Sequence, residues 1–274
     1  MKRFTPTLLL AAVLLQADPL PLDSDLDGVA DASDRCPETP FELTVRADGC
    51  PAEAPEAPVM LVGGIGMTYT TGTYGGSETV DSLSTDVTAA MYAGNFSLSI
   101  LSGYYYYGAS DPTVSDSDSG GMADTFAGAA YTVALSEKLS LTPGIHVKLA
   151  TAGEEIGTGE TDYGASVYGV YRFSGADVFA LYGYTVTGDT KTTKYRDVAF
   201  GSAGITLYPV KQGSVSLSYD YAQAYVPDTP ALESLGVMGL FTLYDTLSLK
   251  ANYSLGLSES ASDHAFGLML LKRF

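Results

Sequence analysis

"TLSLKANYSLGL", residues 246–257, decides the fold. Leu247, Leu249, Ala251, Tyr253, Leu255 and Leu257 alternate with Thr246, Ser248, Lys250, Asn252, Ser254 and Gly256. A helix would place apolar residues every third or fourth position, whereas a period of two lays them all on one face of a β-strand. The opposite face is polar yet carries a single charge, Lys250. The run is also about twice the length of an ordinary strand, roughly 5–6 residues, in a soluble sheet.

The same alternation recurs upstream. "LSLTPGIHVKLA" (139–150) sets Leu139, Leu141, Ile145, Val147 and Leu149 against Ser140, Thr142, Gly144, His146 and Lys148. "SVSLSYDY" (214–221) sets Val215, Leu217, Tyr219 and Tyr221 against Ser216, Ser218 and Asp220. In 177–187 and 196–208 both faces are fairly apolar, so the inward face is not readable. Breaks at Gly, Ser and Asp divide the region into about twelve expected strands: 59–73, 83–92, 95–107, 123–135, 139–151, 162–173, 177–187, 196–208, 213–224, 233–243, 246–257 and 263–274. Connections after even strands are tight ("GN", "SEK", "SGA", "PVKQ", "YD"); those after odd strands are generally longer and polar, as in "GASDPTVSDSDSGGM" and "AGEEIGTGET".

A tilted strand of about 9–11 residues crosses a bilayer. Long antiparallel strands, short turns at one end and long loops at the other predict an all-β fold, a closed transmembrane β-barrel of about twelve strands over 59–274. A soluble β-sandwich would use shorter strands and would not need an apolar outer face on nearly every one. "YYYY" (104–107), Tyr182, Tyr184, Tyr219 and Tyr221 are expected in aromatic girdles at the membrane interfaces. The final "HAFGLMLLKRF" carries Phe266, Leu268, Leu270 and Phe274 on one face. It resembles the C-terminal signature of bacterial outer-membrane proteins, and the resemblance implies that Phe274 is read by the barrel assembly machinery. Lys272 departs from that pattern, with a stem long enough to snorkel to the membrane edge.

The other end of the chain differs in kind. "MKRFTPTLLLAAVLLQA" (1–17) has a basic start at Lys2 and Arg3, a short apolar stretch and a small residue, Ala17, as a signal peptide requires. The formal net charge is −18, and residues 18–58 hold eleven Asp and Glu against Arg35 and Arg46 alone. An acidic chain without clustered Lys and Arg is not built to bind nucleic acid. Within "DSDLDGVADASDRCPETPFELTVRADGCP", Asp23, Asp25, Asp27, Asp31 and Asp34 occupy positions 1, 3, 5, 9 and 12 of a twelve-residue window, Gly28 fills position 6, and Val29 offers a backbone carbonyl at position 7. Hard oxygen ligands around a glycine turn are calcium-loop chemistry. Cys36 and Cys50, in one small exported segment, are expected to oxidise.

That stretch, about residues 22–51, resembles the thrombospondin type 3 repeat, whose bacterial copies pair aspartate-rich loops with Cys-Pro and a closing Gly-Cys-Pro. The resemblance implies calcium at Asp23, Asp25, Asp27, Asp31 and Asp34, a Cys36–Cys50 bond and use as a spacer. The expected organisation is a signal peptide (1–17), a calcium-binding segment (18–51), a Pro/Ala/Glu linker (52–58) and the barrel (59–274). An even strand count puts both barrel ends in the periplasm of a Gram-negative bacterium, with the calcium segment below the outer membrane. This pairing of repeat and barrel is similar to that of some OmpA-family porins, with the order of the two reversed.

With the apolar faces turned to lipid, the lumen is expected to receive Asp86, His146, Lys148, Arg172, Asp220 and Lys250 among Ser, Thr and Gly. The longer loops add an acidic rim of Glu78, Asp81, Asp111, Asp116, Asp118, Glu154, Glu155 and Glu160. A passive channel for small solutes is the expected function. The alternative is a structural or adhesion protein with a plugged lumen. An enzyme is not expected: His264 lies on the lipid-facing parity, but no His-x-Ser-Asn motif accompanies it.

Overall fold

The computed structural model describes Val29, residues 33–36, Thr39, residues 45–51 and 59–74, Gly76, and residues 78–109, 119–152, 159–189 and 194–274. The expected signal peptide, the linker 52–58 and the ligands Asp23, Asp25, Asp27 and Asp31 lie outside the described residues. The chain divides into two compact units, Met1–Ala54 and Pro55–Phe274.

In the first unit Cys36 and Cys50 form a disulfide with their Cα atoms 4.9 Å apart. An antiparallel bridge joins Val45 to Pro51. Arg35 N donates to Asp48 O at 2.9 Å, and the buried Thr39 hydroxyl donates to Gly49 O at 2.8 Å. The crosslink and these bonds order a segment that has little apolar surface to bury.

The second unit is a closed antiparallel barrel of twelve strands. They are β1 (Met60–Gly72), β2 (Val80–Ala93), β3 (Phe96–Ala109), β4, β5 (Leu139–Leu149), β6 (Asp162–Phe173), β7 (Ala176–Val186), β8 (Val198–Val210), β9 (Gly213–Ala222), β10 (Leu232–Tyr244), β11 (Leu247–Gly256) and β12 (His264–Arg273). β4 is one strand in three pieces, Ser119–Met122, Thr125–Tyr131 and Val133–Ala134. Each strand pairs with its neighbours in sequence, and β1 closes the ring on β12 from Val62↔Arg273 to Thr71↔His264.

The expected strands are all present, with shifted ends. β2 begins at Val80, not 83, because Asp81 and Ser82, polar enough to read as loop, pair with Thr71 and Thr70. β8 slips register between Leu207 and Val210 around Pro209, which lacks the N–H a ladder needs. Two of the tight turns use glycine in the left-handed region, Gly94 (φ 56°) and Gly175 (φ 79°).

The distribution of apolar residues is inverted relative to a soluble domain. Among the described residues only Ala224 and Ala261 are buried hydrophobic positions, while Ser82, Asp162 and Ser216 are buried polar ones. Most of the large apolar side chains stand on the outer face, with Ile145 66% and Ile65 63% exposed. At about 25 cal/mol per Å² of apolar surface, leaving that face in water would forfeit the main driving force of folding, so it requires an apolar surround. Near the long loops it carries Tyr69, Tyr104, Tyr106, Tyr163, Tyr182, Tyr184, Tyr219 and Tyr221, and near the short turns Tyr131, Tyr171, Phe173, Tyr244 and Phe274. These are the two girdles. Tyr105 faces inward instead, donating to Ser82 Oγ at 2.8 Å, and the side chain of Tyr107 lies outside the described residues.

Candidate functional site

The inner wall follows from register, because residues opposite one another in an antiparallel pair share a face. Gly66↔Asp86↔Gly103, Gly128↔His146↔Gly164, Phe126↔Lys148↔Asp162, Arg172↔Asp177, Ser202↔Asp220↔Ser234 and Leu240↔Lys250↔Met269 all fall inside. The barrel therefore brings the six expected lumen residues onto one inner surface, but in different circumstances.

Lys148 is not a free pore charge. Its Nζ lies 2.6 Å from Asp162 Oδ2 and 3.5 Å from Asp124 Oδ2, and all three side chains are at most 15% exposed. Asp162 Oδ1 also accepts from Gly188 N at 2.9 Å and Asp124 Oδ1 from Ala152 N at 3.0 Å. The cluster ties the ends of two loops to the wall. Sequence alternation identified Lys148 as inward but gave no sign of Asp162 and Asp124, which join it from other strands.

Asp86 accepts from Ser84 Oγ at 3.1 Å. Asp220 accepts from Ser202 Oγ at 2.6 Å and Ser218 Oγ at 2.8 Å. Neither carboxylate has an ion-pair partner among the described residues. Arg172 stands opposite Asp177, which accepts from the Tyr208 hydroxyl at 2.6 Å. His146 Nε2 shares a 3.0 Å hydrogen bond with Thr185 Oγ1.

The lumen is less polar than the sequence led us to expect. On β7 and β8, where both faces read as apolar, Phe179, Leu181 and Phe200 take the inner side, and on β6 Tyr168 and Val170 do the same. Phe179 and Phe200, like the inner His146 and Asn252, are accommodated by glycines. A Cβ added to Gly183 would meet the Phe200 ring, one on Gly204 the Phe179 ring, one on Gly164 the His146 ring, and one on Gly267 the Asn252 amide. Each bulky residue thus rests against the wall over a neighbouring strand's glycine. Towards the long loops a cavity of about 470 Å³ remains, lined in part by Leu181, Phe200, Ser202, Asp220, Leu232 and Ser234.

On the outer face near the loops, tyrosine hydroxyls donate to acids of neighbouring segments: Tyr69 to Asp81 at 2.9 Å, Tyr184 to Asp197 at 3.0 Å and Tyr219 to Glu233 at 2.9 Å. Asp81, expected in the loop rim, is therefore a strand residue. Asp111, Asp116, Asp118, Glu154 and Glu155 lie outside the described residues. His264 faces outward, bonded through Nδ1 to the Tyr253 hydroxyl at 2.9 Å, and no Ser–His pair occurs among the described residues.

In the first unit, Asp34 Oδ1 accepts from Cys36 N at 2.8 Å, while its Oδ2 is buried without a hydrogen-bond partner among the described residues. Gly49, at φ 73°, makes room for this carboxylate, because a Cβ there would run into it. A buried carboxylate oxygen with unused lone pairs fits a cation ligand.

No protein-family model matches the sequence. A stretch of 39 residues, 14% of this chain, is 56% identical to outer membrane porin F of Pseudomonas aeruginosa strain PAO1 and covers only 11% of that protein. The structure is similar to the COG4313 outer membrane channel of Pseudomonas putida F1, with a TM-score of 0.67 at 10% identity over 78% of this chain and 95% of that one. It is also similar to the NanC porin, with a TM-score of 0.56 at 10% identity over 78% of this chain and 99% of that one. The second unit therefore has the porin-like β-barrel fold of outer-membrane channels.

Proposed function

We propose that this protein is a passive outer-membrane channel for small solutes. One observation carries the reading: the inner rings of Phe179, Phe200 and His146 lie along the wall over glycines, and a cavity of about 470 Å³ stays open towards the long loops. A barrel of twelve strands falls between the small filled barrels and the wide porins, which suits a narrow path. The carboxylates of Asp86 and Asp220, without cationic partners among the described residues, give that path a preference for cations. Single-channel recording in a planar bilayer tests this. Discrete cation-preferring openings are expected; silence from folded protein would favour the structural or adhesion role with a plugged lumen.

The same reading places both barrel ends and the acidic segment in the periplasm. There, calcium bound by Asp23, Asp25, Asp27, the Val29 carbonyl, Asp31 and Asp34 would order the segment as a spacer. The buried, unpartnered Asp34 Oδ2 supports this. Phe274, exposed at the closing strand's end, is the residue the assembly machinery would read.

A further inference from the structure

The cavity at the loop end of the lumen has two unlike sides. Phe200, Ala222 and Leu232, one row across β8, β9 and β10, make one apolar; Ser202, Asp220 and Ser234, the next row, make the other polar, with Leu181 beside Ser202. The apolar side is held in place, with Phe200 resting over Gly183 and meeting the His146 ring at 5.8 Å and 62°, an edge-on contact. The polar side is centred on Asp220. Two serine hydroxyls take up one acceptor site on each of its oxygens and fix the carboxylate, but they do not neutralise it. No Lys, Arg or His of the described residues lies within ion-pair distance. Against a hydrocarbon wall this charge is screened less than it would be in bulk water, so a bound cation gains more from it.

We propose that this cavity binds small amphipathic organic cations, an ammonium group carried on a short aromatic or alkyl body, and that they are the solute class the channel favours. The ammonium meets the free lone pairs of Asp220 and the body lies on Leu181 and Phe200. An inorganic cation would leave the apolar side unused, a neutral hydrocarbon would leave Asp220 unused, and an anion would be repelled. The assignment rests on the channel reading only for its link to transport; the site itself can be tested without conduction.

The probe is phenethylammonium, titrated calorimetrically into the refolded full chain in neutral micelles, beside 2-phenylethanol, ethylammonium and phenylacetate. Saturable binding of phenethylammonium is expected, tighter than that of the three comparators. Asp220→Asn should weaken it about tenfold and Phe200→Ala severalfold, in protein that keeps its heat-modifiable migration. Glu137→Gln, in a short turn at the other end of the barrel and outside the cavity lining, should leave it unchanged. Equal binding by Asp220→Asn, or by 2-phenylethanol or ethylammonium, would overturn the proposal. Conductance is recorded in parallel. An open pore without Asp220-dependent binding removes the site and keeps the channel, while Asp220-dependent binding in a silent barrel does the reverse.

Discussion

The ring of Phe200 on β8 covers Gly183 on β7, directly opposite it across the ladder, so that any side chain at Gly183 would meet the ring carbons. The wall has space for one large residue at this level because its partner has none. Gly183→Val should push the ring towards the barrel axis and roughly halve single-channel conductance while the barrel still folds. Unchanged conductance would mean the ring moves aside without narrowing the path.

Lys148 and Lys250 both face inward, yet they should behave differently when truncated. Lys148 sits between Asp162 and Asp124 at 2.6 and 3.5 Å, so Lys148→Met leaves two poorly exposed carboxylates without their counter-charge. A loss of about 2–4 kcal/mol in urea unfolding is expected, below the roughly 3–5 kcal/mol for breaking a fully buried pair because some exposure remains. Lys250→Met removes no ion pair of the described residues and should cost little. Equal losses for the two would refute the clamp, and Lys148→Met combined with Asp162→Asn should recover part of the loss.

How far the sequence can be read depends on how distinct the two faces of a strand are. β5, β9 and β11 alternate cleanly, so Lys250, Asp220 and His146 could be placed inside before any register was known. β7 and β8 do not alternate, because Phe179, Leu181 and Phe200 are as apolar as their outward neighbours. Only the pairing with Gly204, Ser202 and Gly183 reveals which side they take. Partners brought together across strands are likewise invisible to periodicity, so Lys148 could be placed inside while its neutralisation by Asp162 and Asp124 could not be foreseen. In the acidic segment the cysteine pair was legible from count and context, whereas Asp34 became informative through its buried, unpartnered oxygen.

Cys36 and Cys50 close a loop with a sequence separation of 14, worth about 3 kcal/mol in the chain-entropy model. Reduction should therefore expose the acidic segment to protease while the barrel remains resistant. Calcium should slow cleavage of the oxidised protein, and Asp34→Asn should remove most of that protection. Identical cleavage in calcium and in chelator would rule out the metal loop.

Phe274 extends the closing ladder and is proposed to be read by the assembly machinery, two roles that one deletion can separate. Its N–H donates to Leu61 O at 2.8 Å, extending the closing ladder between β12 and β1 by one bond. Its ring, 72% exposed, has Lys272 Nζ 5.2 Å from its centroid. One terminal ladder bond at an exposed strand end is worth only about 1 kcal/mol, so protein lacking Phe274 should refold into micelles almost as well as the full chain. In cells the same deletion should sharply reduce the barrel recovered in the outer membrane, as the proposed recognition role requires. Matching deficits in both experiments would mean that Phe274 acts through stability, and normal assembly in cells would mean that it is not read at all.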